Sequence, residues 1–208
     1  METWERLFEH ALRLIDSVAD HAPPLVDWTF GGGTVLMRRH KHRFSKDIDI
    51  FLGDAQYLGY LTPRLNATAE SLTSNYLEQG GFLKLSFREG EIDFVVSGSL
   101  TQSPFVIETL FGRDVRVETS TEIIAKKVWH RGAEFTARDL FDLAMVAENE
   151  PDALVEIKPI LTGRREIILS RIQKYESALR ETFAALEVLD YRRTFDECLE
   201  RAKEALAD

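Results

Sequence analysis

Phe30 to Phe51 reads FGGGTVLMRRHKHRFSKDIDIF. The three glycines close a short apolar run, Leu25 to Phe30, that is rich in strand formers. Thr34 to Arg39 can begin a helix, and Lys46 to Leu52 (KDIDIFL) alternates polar and apolar residues with the period of a strand. Side chains two apart on a strand share a face, so Asp47 and Asp49 point one way while Ile48 and Ile50 point the other way, into a core. The stretch therefore predicts strand, glycine turn, helix and acid-bearing strand, which is a mixed α/β arrangement.

Working outward, Met1 to Asp20 predicts an amphipathic helix: Trp4, Leu7, Phe8, Ala11, Leu14, Ile15 and Val18 recur at three- and four-residue spacing. Pro23 and Pro24 end it. Ala55 to Tyr76 predicts mixed, mainly helical structure interrupted near Pro63. Phe82 to Arg88 and Glu91 to Val96 predict a hairpin around Glu89-Gly90, and Phe105 to Leu110 with Asp114 to Glu118 a second strand pair turning at Gly112. From Ser120 onward the periodicity is helical. Thr119 with Glu122 reads as a capping box, Ile168 to Leu186 as one long apolar stripe, and Phe195, Leu199 and Ala202 as a final helix. Two domains are expected, an α/β unit over 1–118 and a helical unit over 119–208.

Two carboxylates side by side repel unless a cation lies between them. Mg²⁺ is a hard ion commonly held by one or two carboxylates together with substrate phosphates. Gly32 and Gly33 lack a Cβ, so backbone can approach a ligand closely there. Their N–H groups, the Thr34 hydroxyl and the start of the following helix make a place for phosphate. Each signal alone is weak. An Asp-x-Asp pair is most often a solvated strand end, and these glycines match neither dinucleotide nor Walker-type spacing.

The combination is more specific. Gly32-Gly33-Thr34, followed thirteen residues later by Asp47 within R-x-S-x-D-x-D (Arg43, Ser45, Asp47, Asp49), resembles the nucleotidyltransferase superfamily and in particular its AbiEii/AbiGii toxin family. The resemblance implies an α+β fold: a nucleotidyltransferase-like mixed-sheet palm with flanking helices, followed by a C-terminal helical bundle. It also implies a third carboxylate on a neighbouring strand, for which Asp93 in Glu91-Ile92-Asp93-Phe94 is the candidate and Glu91 the competitor. It implies a phosphate-binding lysine on one helix and Arg-Asp-x-x-Asp opening the next, matched by Lys127 (or its neighbour Lys126) and by Arg138, Asp139 and Asp142. By periodicity alone, Arg138, Asp139 and Asp142 form the polar face of a helix whose apolar side carries Leu140, Leu143, Ala144 and Ala147, with an Arg138–Asp142 pair four apart.

The activity so implied is Mg²⁺-dependent transfer of a nucleotide from a nucleoside triphosphate to an acceptor hydroxyl, with loss of pyrophosphate. Asp47, Asp49 and Asp93 would hold the metal. Gly32, Gly33, Thr34, Arg43, Ser45, Lys127, Arg138, Asp139 and Asp142 would surround the nucleotide. The implied setting is a toxin of a toxin–antitoxin or phage-defence system, acting on RNA such as tRNA and paired with an antitoxin. Modification of a small molecule or a protein, and a non-catalytic nucleotide-binding module, are the alternatives.

Composition bounds these readings. The net charge of −9 over 208 residues argues against a general electrostatic coat for nucleic acid, though not against a local basic patch such as Arg38 to Arg43. The single cysteine, Cys198, excludes an internal disulfide and reads as core. His40 and His42 lack further ligands at zinc-site spacing. Trp28 and Trp129 read as packing residues. No apolar run approaches the roughly 20 residues that span a bilayer, and the amino terminus is not a signal peptide, so a cytoplasmic protein without membrane contact is expected.

Overall fold

A computed structural model describes residues 3–207; Met1, Glu2 and Asp208, which the expected first helix and domain bounds include, lie outside the described residues. The chain forms two compact units. The first comprises the chain up to Val35, Ser45–Gly98 and Phe105–Glu118; the second comprises Leu36–Phe44, Ser99–Pro104 and the chain from Thr119 on. Two short segments from before residue 118 thus belong with the helices, which a single boundary does not provide for.

The first unit is built on a seven-stranded mixed sheet. Helix α1 (Thr3–Ser17) leads to β1 (Trp28–Gly31), and α2 (Gly32–His40) follows it, passing out of this unit after Val35. Strand β2 (Ile48–Leu52) is followed by short helices α3 (Leu58–Leu61) and α4 (Ala67–Leu72). Then come β3 (Tyr76–Gln79), β4 (Phe82–Ser86), β5 (Glu91–Val96), β6 (Phe105–Leu110) and β7 (Arg113–Glu118). The strand order is β3-β4-β5-β2-β1-β7-β6. The hairpins β4–β5 and β6–β7 are antiparallel, whereas β2–β5 and β1–β7 pair in parallel.

One sheet face is apolar because the strands alternate. Ile48, Ile50 and Leu52 of β2, Ile92 and Phe94 of β5, and Leu83 and Leu85 of β4 are fully buried. The α1 stripe covers this layer: Leu7, Phe8, Ala11 and Leu14 have no exposure, and the Phe8 and Phe30 ring centroids are 4.5 Å apart. The polar residues between, Asp49, Lys84, Glu91 and Asp93, fall on the opposite face.

The second unit packs α5 (Ser120–Arg131), α6 (Ala137–Asn149), α7 (Lys158–Lys174), α8 (Glu176–Ala184) and α9 (Phe195–Leu206). Phe141 of α6 lies against Phe183 and Tyr191, with ring centroids 5.5 and 5.3 Å away, and Cys198 is buried among these helices. The segment around Arg43 is tied to this unit by an antiparallel bridge to Val188. The Phe44 N–H donates to the Glu187 carbonyl (2.8 Å) and the Leu189 N–H to the His42 carbonyl (3.0 Å).

Several local expectations change. The expected first strand lies later, at Trp28–Gly31, and the edge strand β3, with Leu77 exposed, falls in a stretch whose pattern gave no strand signal. The long stripe from Ile168 is divided at Tyr175, whose backbone leaves helical geometry, so α7 and α8 are separate helices. Thr119 caps α5 by accepting from the Glu122 N–H, but the Glu122 carboxylate turns away to the Leu100 and Thr101 N–H groups, so only half of a capping box forms. Complete boxes appear at Thr136–Asp139 and Thr194–Glu197. No described helix is long and apolar enough to cross a membrane.

Because Phe8 fills the layer between α1 and the sheet, Phe8→Ala is expected to destabilise the protein by about 3–5 kcal/mol in urea denaturation.

Candidate active site

In the sheet unit, register brings the expected acids together. Asp49 of β2 is the Cα partner of Asp93 on parallel β5, and on its other side it pairs with Gly31 of β1. Asp93 in turn faces Lys84 on β4. A row Lys84–Asp93–Asp49–Gly31 thus crosses four adjacent strands, β4, β5, β2 and β1. Asp47 sits just before β2 rather than on it. Its Oδ1 accepts from the Glu91 N–H (3.1 Å), fastening it to the start of the Asp93 strand.

The glycine turn closes on this row. Gly32 has φ +75°, and a Cβ there would lie 1.9 Å from Asp49 Oδ2. Only glycine permits both the left-handed backbone and the close carboxylate. Gly33 is buried in the first turn of α2. Thr34 is fully buried, and its hydroxyl donates to the Asp47 carbonyl (2.6 Å) and lies 3.1 Å from the Ser45 hydroxyl. Thr34 and Ser45 therefore fix the backbone that presents Asp47.

Two residues here were not singled out from the sequence. Lys84 donates to Glu91 Oε2 (2.5 Å) and Asp93 Oδ2 (3.1 Å). Glu118, at the end of β7, is buried beside Gly31 and accepts from the Thr29 hydroxyl (2.7 Å). Neither carries a motif, and only strand pairing reveals them. Burial pushes the Asp93 carboxyl above its ordinary range. Lys84 opposes this, while the Glu91 and Asp47 charges add to it. Among the described residues, no hydrogen-bond donor reaches the buried Asp93 Oδ1.

In the helical unit, the two acids of Arg-Asp-x-x-Asp are not on a solvated face. Asp139 and Asp142 are both fully buried, which corrects the expectation of a polar helix side with an Arg138–Asp142 pair. Asp142 instead accepts from Arg43 Nε (2.7 Å), Arg43 Nη2 (2.8 Å) and His42 Nε2 (2.8 Å), with Lys127 Nζ at 3.1 Å. Asp139, the N3 residue of the α6 capping box, accepts from the Thr136 hydroxyl and from Lys127 Nζ (2.7 Å), with Arg131 at 3.5 Å.

Despite their burial, both carboxyls are held below the ordinary 3.8, Asp142 well below it. The cause for Asp142 is chiefly Arg43 and Lys127, and for Asp139 chiefly Lys127 and Arg131. Burial lowers the His42 pKa, against the pull of the Asp142 carboxylate 2.8 Å from its Nε2. Two acids against Arg43, Lys127 and Arg131 leave one positive charge in excess. The members that reach the surface are Arg131, 52% exposed, and Lys127, 11% exposed. Lys126 points elsewhere, to Glu122 (3.4 Å). Arg138 is exposed. His40 pairs with Glu150 (2.6 Å). Trp28 is partly buried, and Trp129, expected as a packing residue, is 46% exposed with the Arg164 guanidinium 4.4 Å above its ring.

Residues 13–206 match the model of the family described as "Nucleotidyl transferase AbiEii toxin, Type IV TA system". No curated protein matches the chain by sequence. Among solved structures, the fold resembles JHP933 from Helicobacter pylori, with TM-score 0.51 and 16% identity over 97% of this chain and 90% of that one. It also resembles MenT4, a nucleotidyltransferase toxin from Mycobacterium tuberculosis, with TM-score 0.51 and 16% identity over 98% of this chain and 82% of that one.

Gly32→Ala is expected to displace Asp49 and to cost about 1–3 kcal/mol of stability through backbone strain, read by chemical denaturation. Asp142→Asn leaves Arg43 without its buried counter-charge and Lys127 with Asp139 alone, and is expected to cost about 3–5 kcal/mol at pH 7. Because the folded-state pKa of Asp142 is depressed, its contribution is complete above the ordinary 3.8 and is lost as pH falls through the folded value. The gap between wild type and Asp142→Asn in denaturation curves should therefore narrow below about pH 4.

Proposed function

The chain belongs to the nucleotidyl transferase AbiEii toxin family and is a nucleotidyltransferase; from that premise we propose that its sheet unit binds a Mg²⁺-associated nucleoside triphosphate through Asp47, Asp49 and Asp93. The single observation that carries this reading is the register that sets Asp49 beside Asp93, with Gly32 packed against the Asp49 carboxylate.

The residues suit a hard divalent ion. Their donors are carboxylate oxygens, and one of these, Asp93 Oδ1, is buried with no hydrogen bond among the described residues. The described residues hold no group of three or more His, Cys, Asp or Glu side chains already gathered around a cation position. Mg²⁺ suits such a site because it keeps several waters and shares its coordination between one or two carboxylates and substrate phosphates. When bound, the ion neutralises charge on the phosphate and on the attacking and leaving oxygens.

The chain's own side chains do the positioning. Thr34 and the Glu91 N–H hold Asp47, and the β2–β5 pairing holds Asp49 and Asp93. Gly32 and Gly33 offer backbone N–H groups at the start of α2 for phosphate oxygens. Asp93, whose burial favours its neutral form, is suited to take up the proton of the acceptor hydroxyl. To Lys127, within the helical unit, we assign a phosphate-binding role, supported by the surplus positive charge of its own network. Arg43, Asp139 and Asp142 are assigned to positioning Lys127, because each is buried and committed to ion pairs.

The acceptor we propose is a hydroxyl of RNA such as tRNA, and a cognate antitoxin would restrain the activity in cells. An acidic chain can meet RNA through local cations and exposed rings, and Trp129 with Arg164 and Arg131 supplies such a surface.

Incubation with each α-³²P-labelled nucleoside triphosphate, Mg²⁺ and total RNA or lysate is expected to label RNA. Asp49→Ala should reduce labelling by at least about 10²-fold while leaving the fold unchanged by circular dichroism. Label in protein or small molecules would replace the RNA assignment, and wild-type labelling by Asp49→Ala would end the mechanism. Nucleotide binding without any transfer would indicate a sensor. Growth arrest on expression, relieved by Asp49→Ala, is the expected cellular counterpart.

A further inference from the structure

Lys84 has no part in the chemistry above, yet it sits in the row that forms the site. It is the β4 partner of Asp93, and its ammonium lies between two carboxylates that share a face of β5, Glu91 Oε2 at 2.5 Å and Asp93 Oδ2 at 3.1 Å. Its side chain is 30% exposed and that of Asp93 20%. The division of Asp93 is unequal: Oδ2 is taken by Lys84, while Oδ1 is buried without a hydrogen bond among the described residues.

We propose that Lys84 is a positioning residue for the carboxylate site, a built-in counter-cation that holds Asp93 by one oxygen, leaves the other for a divalent ion, and so sets how tightly the site takes that ion. The inference rests on the metal reading above. One ammonium is shared by two acids, Glu91 and Asp93, so their compensation is partial and a cation is still attracted. A divalent ion entering beside Asp93 meets the Lys84 charge as repulsion. Lys84 thus lets Glu91 and Asp93 stand together without a metal, and it weakens the binding of bare metal. A pair that served only to stabilise the sheet, away from any cation site, would lend stability and leave metal affinity unchanged. The sign of the effect on metal affinity separates the two.

The test is a titration of Mn²⁺ into nucleotide-free protein, with free Mn²⁺ read by electron paramagnetic resonance, and thermal unfolding in EDTA and in Mn²⁺. Lys84→Met is expected to bind Mn²⁺ at least about threefold more tightly than wild type, and Lys84→Arg to stay within about twofold of it. In EDTA, Lys84→Met should melt below wild type and should gain more from added Mn²⁺. Glu91→Gln, which removes an acid and leaves Lys84 to Asp93 alone, should weaken binding by about threefold. Equal or weaker Mn²⁺ binding by folded Lys84→Met overturns the inference while the metal reading stands. Should Lys84→Met fail to fold with and without Mn²⁺, Glu91→Gln decides, since unchanged or tighter binding there overturns it equally. A wild-type protein that takes up no Mn²⁺ overturns the metal reading, and this inference with it.

Discussion

The parallel pairing of β2 with β5 is the constraint on which the sheet unit turns. In a sheet, residues at matched positions on adjacent strands lie side by side on one face, so a single register decides the neighbours of every side chain on both faces. Here it sets Ile48 against Ile92 and Ile50 against Phe94 in the buried layer, and Asp49 against Asp93 on the other face. A slip of one residue would expose the apolar layer and bury the acids. The hydrophobic layer under α1 therefore fixes the geometry of the carboxylates, although it touches none of the chemistry. Repulsion between acids is paid for by burial of aliphatic and aromatic side chains on the reverse of the same strands.

The turn after β1 depends on the same register. Asp49 faces Gly31 on β1, and the next residue, Gly32, adopts positive φ directly against the Asp49 carboxylate. Side chains at these positions would collide with Asp49, Phe51 or Glu118. Thr34, two residues on, reaches back to the Asp47 carbonyl. The glycines and the acids are thus one mechanical object: the helix start is seated by contacts with the strand that bears the carboxylates. The threonine serves that seating, which accounts for its complete burial.

Much of this was legible in local pattern, and what was not legible was non-local. The period of two in KDIDIFL announced a strand with Asp49 on its polar side, although Asp47 lies just before it, and the Glu89-Gly90 hairpin placed Asp93 correctly in its strand. Which strand lies beside which cannot be read from period, so Lys84 passed as one polar residue of an alternating run. The α6 acids show the same failure more sharply. Helical spacing put Asp139 and Asp142 on a polar arc, and such arcs ordinarily face water. These two are buried because cations arrive from elsewhere, Arg43 from 99 positions earlier and Lys127 from the preceding helix. Glu122 followed suit, exchanging its capping partner for two backbone N–H groups of the Leu100–Thr101 segment. In each case a local rule identified the residue type and a distant partner decided its role.

The two units treat their aspartates in opposite ways, and the contrast distinguishes structure from chemistry. Asp142 meets Arg43, Lys127 and the His42 N–H, and its charge is so well compensated that its carboxyl stays ionised far below its ordinary range. An acid so completely served has nothing left to offer a ligand; its office is to hold the side chains around it. Asp93 meets one lysine, shares it with Glu91, stands near Asp47, and is pushed upward by burial. One of its oxygens stays buried without a donor among the described residues. Folding ordinarily removes such deficits, because a buried unsatisfied oxygen costs about 1–3 kcal/mol. A deficit of positive charge retained beside Asp49 and the glycine turn is what a site must keep if a cation carrying its own phosphates is to be the missing partner.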